Sequence, residues 1–261
     1  MDNVSGFTFI HNGVEGGYPF VEAIEAVMPY VDEMVVIDAG STDETRDVLE
    51  QLDVRIIDSY WEPGKAGRCL SRLHALNTEC EGDIIWHFEA DEVFSEELSI
   101  SVRSAIDDGH HRYGCGISVR RLQVEQNFQR CRWYPEIVHR VFRRGSVEKH
   151  GHTTRQHYEG VNVYPLGVQM GLLWDVTNCF RDEWLQRCKN QAELWGDEPR
   201  YRFVPVHFTH RLTMDESEIA AFLNEAHWTW EVSPFYLPES LKNLVGVTSY
   251  KEYLRCQQLI S

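Results

Sequence analysis

The feature that most constrains the fold lies in residues 33–92, where two apolar runs of strand length each end abruptly at carboxylates. The runs are residues 34–37 and 84–88. Near-continuous apolar runs of this length suit parallel strands that are covered on both faces. In an open α/β sheet, ligands bind beyond the carboxyl ends of the strands. The sequence therefore predicts an acidic pocket at one sheet edge, lined by Asp38, Asp43, Glu89, Asp91 and Glu92.

The acidic pocket calls for a counter-ion, because neighbouring carboxylates repel one another. Ligands that are all oxygen atoms suit a hard divalent cation, either Mn²⁺ or Mg²⁺. Asp91, at a strand end beside a second acid, is the first candidate ligand, and a helix N-cap or a solvated acidic turn is its alternative role. Glu89 has a longer reach and is expected to bind the metal or a ribose. Glu92 is a candidate for orienting an acceptor.

Strands and helices alternate along the first third of the chain. Strands are predicted near residues 7–10, 34–37, 54–57 and 84–88, and the helices between them begin near residues 19, 45 and 69. This order implies a parallel sheet with right-handed crossovers, and hence the α/β class. Ser41 or Thr42 is the predicted N-cap of the second helix, which should span residues 45–52.

The regular alternation of predicted strands and helices ends after Ser95. A helix is predicted over residues 97–106, and strands over residues 114–122 and 136–143 suggest a mixed or antiparallel region. Further helices are predicted over residues 178–195, 214–232 and, in part, 239–259.

Composition excludes several classes of function. The net charge of −16 argues against binding to nucleic acid or to anionic membrane surfaces. No apolar stretch approaches the roughly 20 residues that a membrane helix needs, and the N-terminus does not resemble a signal peptide. The seven scattered cysteines lack a C-x-x-C pair, which indicates reduced thiols in a cytoplasmic protein.

Two motifs in order resemble a known family. Asp38-Ala-Gly-Ser-Thr-Asp-Glu-Thr is similar to the D-x-G-S-x-D-x-T element of family 2 glycosyltransferases of the GT-A fold. Glu89-Ala-Asp-Glu resembles their D-x-D metal motif, in the "aDE" form of a bacterial subgroup. Phe9-Ile-His-Asn-Gly resembles the first-strand element, usually Y-N-E. Glu89 and Gly13 depart from the family pattern, since the usual residues there are Asp and Glu.

The resemblance implies a GT-A architecture: a mostly parallel central sheet flanked by helices, with a smaller mixed acceptor-binding half. Residues 1–261 would form a single domain, in which residues 1–115 bind the nucleotide sugar and residues 116–261 hold the acceptor. It implies a metal-dependent glycosyltransferase that moves a sugar from a nucleotide-diphosphate sugar to a hydroxyl group of a glycan or glycoconjugate. By the same analogy, the reaction inverts the anomeric centre.

The resemblance also assigns binding roles. Asp38 would accept a hydrogen bond from the nucleotide base or ribose, and its alternative role is to cap the following turn. His11 and Asn12 lie where the family contacts the base. Lys65, Arg68 and Arg72, between the base-binding strand and the metal strand, could contact the diphosphate or the base, although for any one of them a surface charge is the favoured alternative.

An inverting transfer needs a general base that removes the proton of the acceptor hydroxyl. Glu136, beside Trp133 and Tyr134, is favoured, and the alternatives are His152, Glu148, Glu159 and Asp175. Asp91 takes part in catalysis through the metal, which would neutralise the leaving diphosphate. His207 or His210 could complete the metal site, or both could be structural.

Two other functions remain open from the sequence. A nucleotidyltransferase also uses paired carboxylates on an α/β sheet, but it would carry a basic phosphate loop, and residues 11–17 contain no Lys or Arg. A non-catalytic module that binds sugar or nucleotide would tolerate Glu89, Gly13 and the absence of a His-Glu pair. An assay of nucleotide-sugar hydrolysis distinguishes these functions.

Overall fold

The computed structural model describes residues 2–60, 78–110, 116–125, 130–132, 136–145, 163–165, 173–178, 180, 229–231 and 237–261. The predicted helix near residues 69–78 and that over residues 178–195 fall almost entirely outside these ranges, as does most of the helix over residues 214–232.

Four parallel strands form the centre of the sheet. They are β1 (Val4–Ile10), β2 (Glu33–Asp38), β3 (Arg55–Asp58) and β4 (Ile84–His87), in the order β4-β1-β2-β3. This arrangement confirms the prediction that the four apolar runs are neighbours in one parallel sheet. Their carboxyl ends therefore lie at the same edge.

Side chains alternate between two buried faces of these strands, as the period of two requires. On one face, Phe7, Val35 and Ile37 pack together. On the other face, Val36 and Trp86 join the larger core beneath the helices. Because both faces are buried, the runs over residues 34–37 of β2 and 84–86 of β4 contain no polar residue, whereas β1 includes the buried Ser5 and Thr8.

Helices cover the larger core. They are α1 (Phe20–Val27), followed by the 3₁₀ turn Met28–Tyr30, then α2 (Thr45–Leu49) and α3 (Glu96–Asp107). The Ser95 side chain caps α3 by accepting the Leu98 N–H at 3.3 Å, as N-cap residues do. Helix α2 is shorter than predicted, because only turns continue from Leu49 to Leu52.

The second half extends the same sheet past β4. Its strands are β5 (Glu92–Phe94), β6 (Gly116–Glu125), β7 (Arg130–Arg132), β8 (Glu136–Arg143), β9 (Val163–Pro165), β10 (Leu173–Asn178) and β11 (Thr229–Glu231). The order continues β4-β8-β6-β7-β11 by antiparallel pairs, whereas β9 and β10 lie parallel to β6, and β5 lies antiparallel to β10. The predicted mixed region is confirmed.

Two boundaries in this half correct the prediction from periodicity. The last residues of the helix expected over residues 214–232 form β11, which pairs with β7. Asn178, expected to open a helix, is the last residue of β10. Pairing with a distant strand decides conformation in both places, and helical spacing of apolar residues does not reveal it.

Two C-terminal helices return to the first half of the chain. They are α4 (Glu239–Lys242) and α5 (Tyr250–Cys256), and Leu241 and Leu254 join the larger core. Within the part of the chain that the structure describes, no helix has both the length and the apolar character to cross a membrane.

A buried carboxylate joins α5 to α1. The Tyr250 hydroxyl donates a 2.7 Å hydrogen bond to Oε2 of Glu22, and Glu22 is only 4% exposed. Burial raises the pKa of Glu22 to about 7, although the hydrogen bond from Tyr250 offsets part of that rise. A carboxylic acid is therefore held among apolar groups where the C-terminal helix meets the first helix.

We expect the Glu22 carboxyl to make stability depend on pH. The folded-state pKa lies above the ordinary value of 4.5, so the contribution of this group is full below about pH 4.5 and is lost as the pH rises towards 7. Glu22→Gln should therefore gain roughly 3 kcal/mol relative to the unmodified chain between pH 4.5 and pH 8. Urea unfolding at the two pH values measures this difference. The exposed Glu97→Gln is the control, and an equal pH response in both variants would contradict the assignment.

Candidate functional site

The carboxyl ends of β1, β2 and β4 bring the predicted acidic residues to one edge of the sheet. Asp38 is the last residue of β2 and pairs with Ile10 of β1. Immediately after β4, the Phe88 N–H donates to the Phe7 carbonyl, so the chain leaves the sheet beside β1. The turn that carries Glu89 and Asp91 follows directly. Asp38 and Asp91 thus lie at the same sheet edge, as predicted.

Asp38 is buried and already has one oxygen engaged. Its Oδ1 accepts the Ser41 N–H at 2.9 Å, so Asp38 does cap the turn that follows it. Its Oδ2 lies 4.0 Å from Nη1 of Arg46, whose guanidinium also contacts Asp58 and Glu50. The capping contact uses Oδ1, whereas Oδ2 faces the Arg46 guanidinium.

Asn12 locks the loop after β1 to the loop after β2. Its N–H donates to Ser41 Oγ at 3.0 Å, and its Oδ1 accepts the Thr42 N–H at 2.7 Å. Asn12 has φ of 49°, a left-handed conformation that asparagine tolerates better than most residues. Beside it, Nδ1 of His11 lies 3.1 Å from the Ala39 carbonyl oxygen. These contacts fix the orientation of both predicted base-contacting residues.

Asp43 and Thr45 of the second-strand motif also join the two loops. We call the contacts of Asn12, Asp43 and Thr45 between these loops the loop lock. Asp43 accepts the Glu15 N–H at 2.8 Å and the Thr45 N–H at 3.0 Å. Thr45 is fully buried, and its Oγ1 accepts the Val14 N–H at 3.1 Å. Asp43 therefore binds the first turn of α2 in place of the predicted N-caps, Ser41 and Thr42. The D-x-T spacing was visible in the sequence, but its partners lie about 30 residues away.

Local packing accounts for one departure from the family pattern. A side chain at Gly13 would place its Cβ against the Ile10 side chain and 3.0 Å from Cδ1 of Phe20. Gly13 is itself buried, and its carbonyl accepts the Tyr18 N–H at 2.9 Å. Glycine at this position thus fits the core under the loop.

Two hydrogen bonds between Glu89 and Glu92 join the ends of the turn that these residues bound. The Glu92 N–H donates to the Glu89 carbonyl at 3.0 Å, and the Glu89 N–H donates to Glu92 Oε2 at 3.0 Å. Arg140 of β8 then holds the same carboxylate with Nε at 2.7 Å and Nη2 at 2.5 Å. Glu92 is fully buried and Arg140 is 7% exposed. Glu92 therefore faces an arginine inside the protein, where an acceptor does not reach.

Glu89 and Asp91 are the acids of this turn that remain partly exposed. The Glu89 side chain is 31% exposed, and its Oε1 lies 4.0 Å from Nε2 of the buried His87. Asp91 is half-buried. Among the described residues, no three His, Cys, Asp or Glu side chains converge on a point that could hold a metal. A complete metal shell would need a further ligand, and the predicted one, His207, lies outside the described residues.

The other predicted site residues are distributed as follows. Lys65 and Arg72 also lie outside the described residues. Glu136 is the first residue of β8, where it pairs with Arg121 of β6. The structure thus brings together His11, Asn12, Asp38, Glu89 and Asp91, and it places Glu136 on the strand that also carries Arg140.

A cleft of about 610 Å³ lies apart from this edge, between the end of α1, the start of α3 and the start of α4. Its lining includes Tyr30, Phe94 and the acidic residues Glu25, Glu96 and Glu239. None of the predicted site residues lines it.

Comparison with known proteins shows one family. The profile of glycosyl transferase family 2 matches residues 18–166, a little over half of the chain. An uncharacterised glycosyltransferase of Rickettsia felis is 28% identical over 134 residues, which cover 51% of this chain and 44% of that protein. The chain thus matches less than half the length of this curated relative.

The chain also aligns with parts of solved structures. TarS of S. aureus aligns with a TM-score of 0.48 at 14% identity, over 73% of this chain and 39% of TarS. The glucosyl-3-phosphoglycerate synthase of Mycobacterium tuberculosis, in complex with Mn²⁺, uridine diphosphate and glucosyl-3-phosphoglycerate, aligns with a TM-score of 0.34. Its identity is 21%, over 47% of this chain and 44% of the synthase.

Thr45 offers a test of the loop lock. Thr45→Val keeps the shape but leaves the Val14 N–H without its acceptor in a buried position, which should cost about 1 to 3 kcal/mol of unfolding free energy. Thr45→Ser retains the hydroxyl and should cost less. Chemical denaturation of both variants measures the difference. Equal stability of the Val and Ser variants would show that the hydroxyl does not hold the loops together.

Proposed function

Because this chain belongs to glycosyl transferase family 2, we propose that it transfers a sugar from a nucleotide-diphosphate sugar to a hydroxyl group of a glycan or glycoconjugate. The observation that carries this proposal is the meeting of Asp38 with the Glu89–Asp91 turn at one edge of a parallel sheet, beside a loop pair fixed by hydrogen bonds. This edge is where α/β sheets bind ligands. The family match is to family 2 as a whole, and membership of the "aDE" subgroup stays a prediction.

The nucleotide is proposed to lie across His11, Asp38 and Asp91. Oδ1 of Asp38 accepts the Ser41 N–H, so Oδ2 is the atom proposed to accept an imide N–H of the base. Uracil carries an imide N–H and guanine a ring amide N–H that donates in the same way, and the donor is therefore proposed to be a uridine or guanosine diphosphate sugar. Lys65 and Arg72 are proposed to contact the diphosphate.

Glu89 and Asp91 are the residues proposed to hold Mn²⁺ or Mg²⁺. Their donor atoms are carboxylate oxygens, the chemistry that these cations prefer, and both side chains are partly exposed. When bound, the cation would supply positive charge to the departing diphosphate. Glu89 has the reach of a glutamate where the family pattern has an aspartate, and it offers the same oxygens. His207 is the proposed third protein ligand.

The acceptor side of the site is proposed to come from residues 116–261, in a single domain with residues 1–115. Glu136 is the proposed general base, because β8 runs antiparallel to β4 and brings this segment of the chain to the same sheet. Its role would be to remove the proton of the acceptor hydroxyl as it attacks, with inversion at the anomeric carbon. The proposed location is the cytoplasm, where the exposed free thiol of Cys256 would stay reduced.

Replacing Asp38 tests the nucleotide site without metal. Asp38→Asn keeps an oxygen for the Ser41 N–H but removes the charge, whereas Asp38→Ala removes both acceptors. We expect Asp38→Ala to weaken uridine or guanosine diphosphate binding about tenfold or more in the presence of chelator, and the Asn variant to lose less, because a hydrogen bond to a charged group is worth about 1.5 to 3 kcal/mol. Calorimetry measures both. Unchanged affinity in the Ala variant would remove Asp38 from the site.

Replacing Asp91 tests the metal. Glu89 and Asp91 repel a diphosphate unless a cation is present, so nucleotide affinity should rise with Mn²⁺. Asp91→Asn should abolish most of this rise and most turnover of a nucleotide sugar, while the thermal midpoint stays within a few degrees because Asp91 is half-buried at a turn. Asp53→Asn, at a remote turn, is the control. Full activity of Asp91→Asn, or activity in excess chelator, would show that the metal assignment is wrong.

A further inference from the structure

We propose that Arg140 is a positioning residue for the Glu89–Asp91 turn: through the buried Glu92 carboxylate, it fixes that turn in the conformation that presents Glu89 and Asp91 to the metal-bound diphosphate. This inference rests on the proposed function and deepens it. It names a residue from the second half of the chain that sets the geometry of a site built on the first half.

The contacts form an uninterrupted chain from Arg140 to the backbone of the turn. The guanidinium grips Glu92 with two nitrogens, the bidentate geometry that arginine makes with carboxylates. Oε2 of Glu92 then accepts the Glu89 N–H, and the Glu92 N–H donates to the Glu89 carbonyl. Glu92 therefore binds both the N–H and the carbonyl of Glu89, and Arg140 in turn holds the Glu92 side chain in place.

Charge explains why an arginine is needed at this position. Glu89, Asp91 and Glu92 place three carboxylates within four residues, and the third is fully buried. A buried carboxylate without a partner is strongly unfavourable and would turn outward toward the cation side. Arg140 neutralises Glu92 in the interior, and so it limits the acids that face the metal to Glu89 and Asp91.

The position of Arg140 in the sheet directs its side chain toward the acidic turn. Arg140 directly precedes Val141, which pairs with Trp86 of β4, and it follows His139, which pairs with Ser118 of β6. The guanidinium also donates from Nη1 to the His139 carbonyl at 3.2 Å. The register of β8 with β6 shifts between the pair of Val141 with Ile117 and the pair of His139 with Ser118, so Arg140 stands at a β-bulge beside the carboxyl end of β4, and a bulge of this kind redirects the side chain that it carries.

The test uses Arg140→Lys in the full chain, with uridine diphosphate and Mn²⁺ as probes. Lysine keeps the charge but cannot make the two-nitrogen grip. We expect the Mn²⁺ dissociation constant in the presence of uridine diphosphate to rise about tenfold or more, the loss typical of groups that orient metal ligands. Nucleotide affinity in chelator should change less than twofold, because Asp38 and the loop lock are untouched. Hydrogen exchange of the peptide that contains Glu89 should accelerate.

Arg144→Met is the matched control. Arg144 lies just beyond the other end of β8, where its Nη1 donates to the Cys80 carbonyl at 2.7 Å, away from the acidic turn. This variant should leave the Mn²⁺ dissociation constant and the exchange of the Glu89 peptide unchanged. If Arg140→Lys does not fold, the double variant Glu92→Leu with Arg140→Met removes the ion pair without leaving a buried charge and takes its place.

The outcomes distinguish the positioning role of Arg140 from the proposed function of the site. Loss of Mn²⁺ affinity together with faster exchange, in the Arg140 variant alone, supports the positioning role. Unchanged Mn²⁺ affinity in a variant of a chain that itself binds Mn²⁺ and nucleotide overturns the positioning role and leaves the proposed function standing. A parent chain that binds nucleotide no more tightly with Mn²⁺ than without overturns the metal site, and the positioning role with it.

Discussion

The position of β1 between β2 and β4 is the constraint on which the site depends. Because all three strands are parallel, the chain leaves each of them at the same edge, and the polar loops that follow are forced to meet. Because both faces are covered, the centre of β2 and most of β4 are wholly apolar. The acids are consequently confined to the strand ends, where they are next to one another and next to solvent.

Several polar side chains at this edge form hydrogen bonds with backbone groups of the two loops. Asn12, Asp43 and Thr45 satisfy backbone groups of the loop opposite, and Asp38 uses one oxygen in the same way. Such loops cost conformational entropy to order, and hydrogen bonds between them repay part of that cost. The two loops at this edge are thus held in place by hydrogen bonds between their own residues.

Long-range contacts tie distant parts of the chain to this edge. Arg140 reaches the Glu89–Glu92 turn from β8, and Lys251 of α5 contacts Glu44, which lies between Asp43 and Thr45 of the loop lock, at 2.8 Å. That contact with Lys251 lowers the pKa of Glu44. The C-terminal helix also brings Tyr250 to Glu22. Side chains of the first half are therefore bound by residues that lie more than 40 and more than 200 positions further along the chain.

The sequence by itself determined the parallel strands, their order along the chain and the identity of the acids at their ends, because apolar runs and turn residues are local signals. It did not determine which of these acids are buried and which are exposed. Asp91 and Glu92 are neighbours of one chemical type, and only the arrival of Arg140 from another strand makes one buried and leaves the other partly exposed. The formation of strand β11 and the burial of Glu22 also depend on partners that are distant in sequence, namely β7 and Tyr250. The local spacing of apolar residues does not reveal such partners.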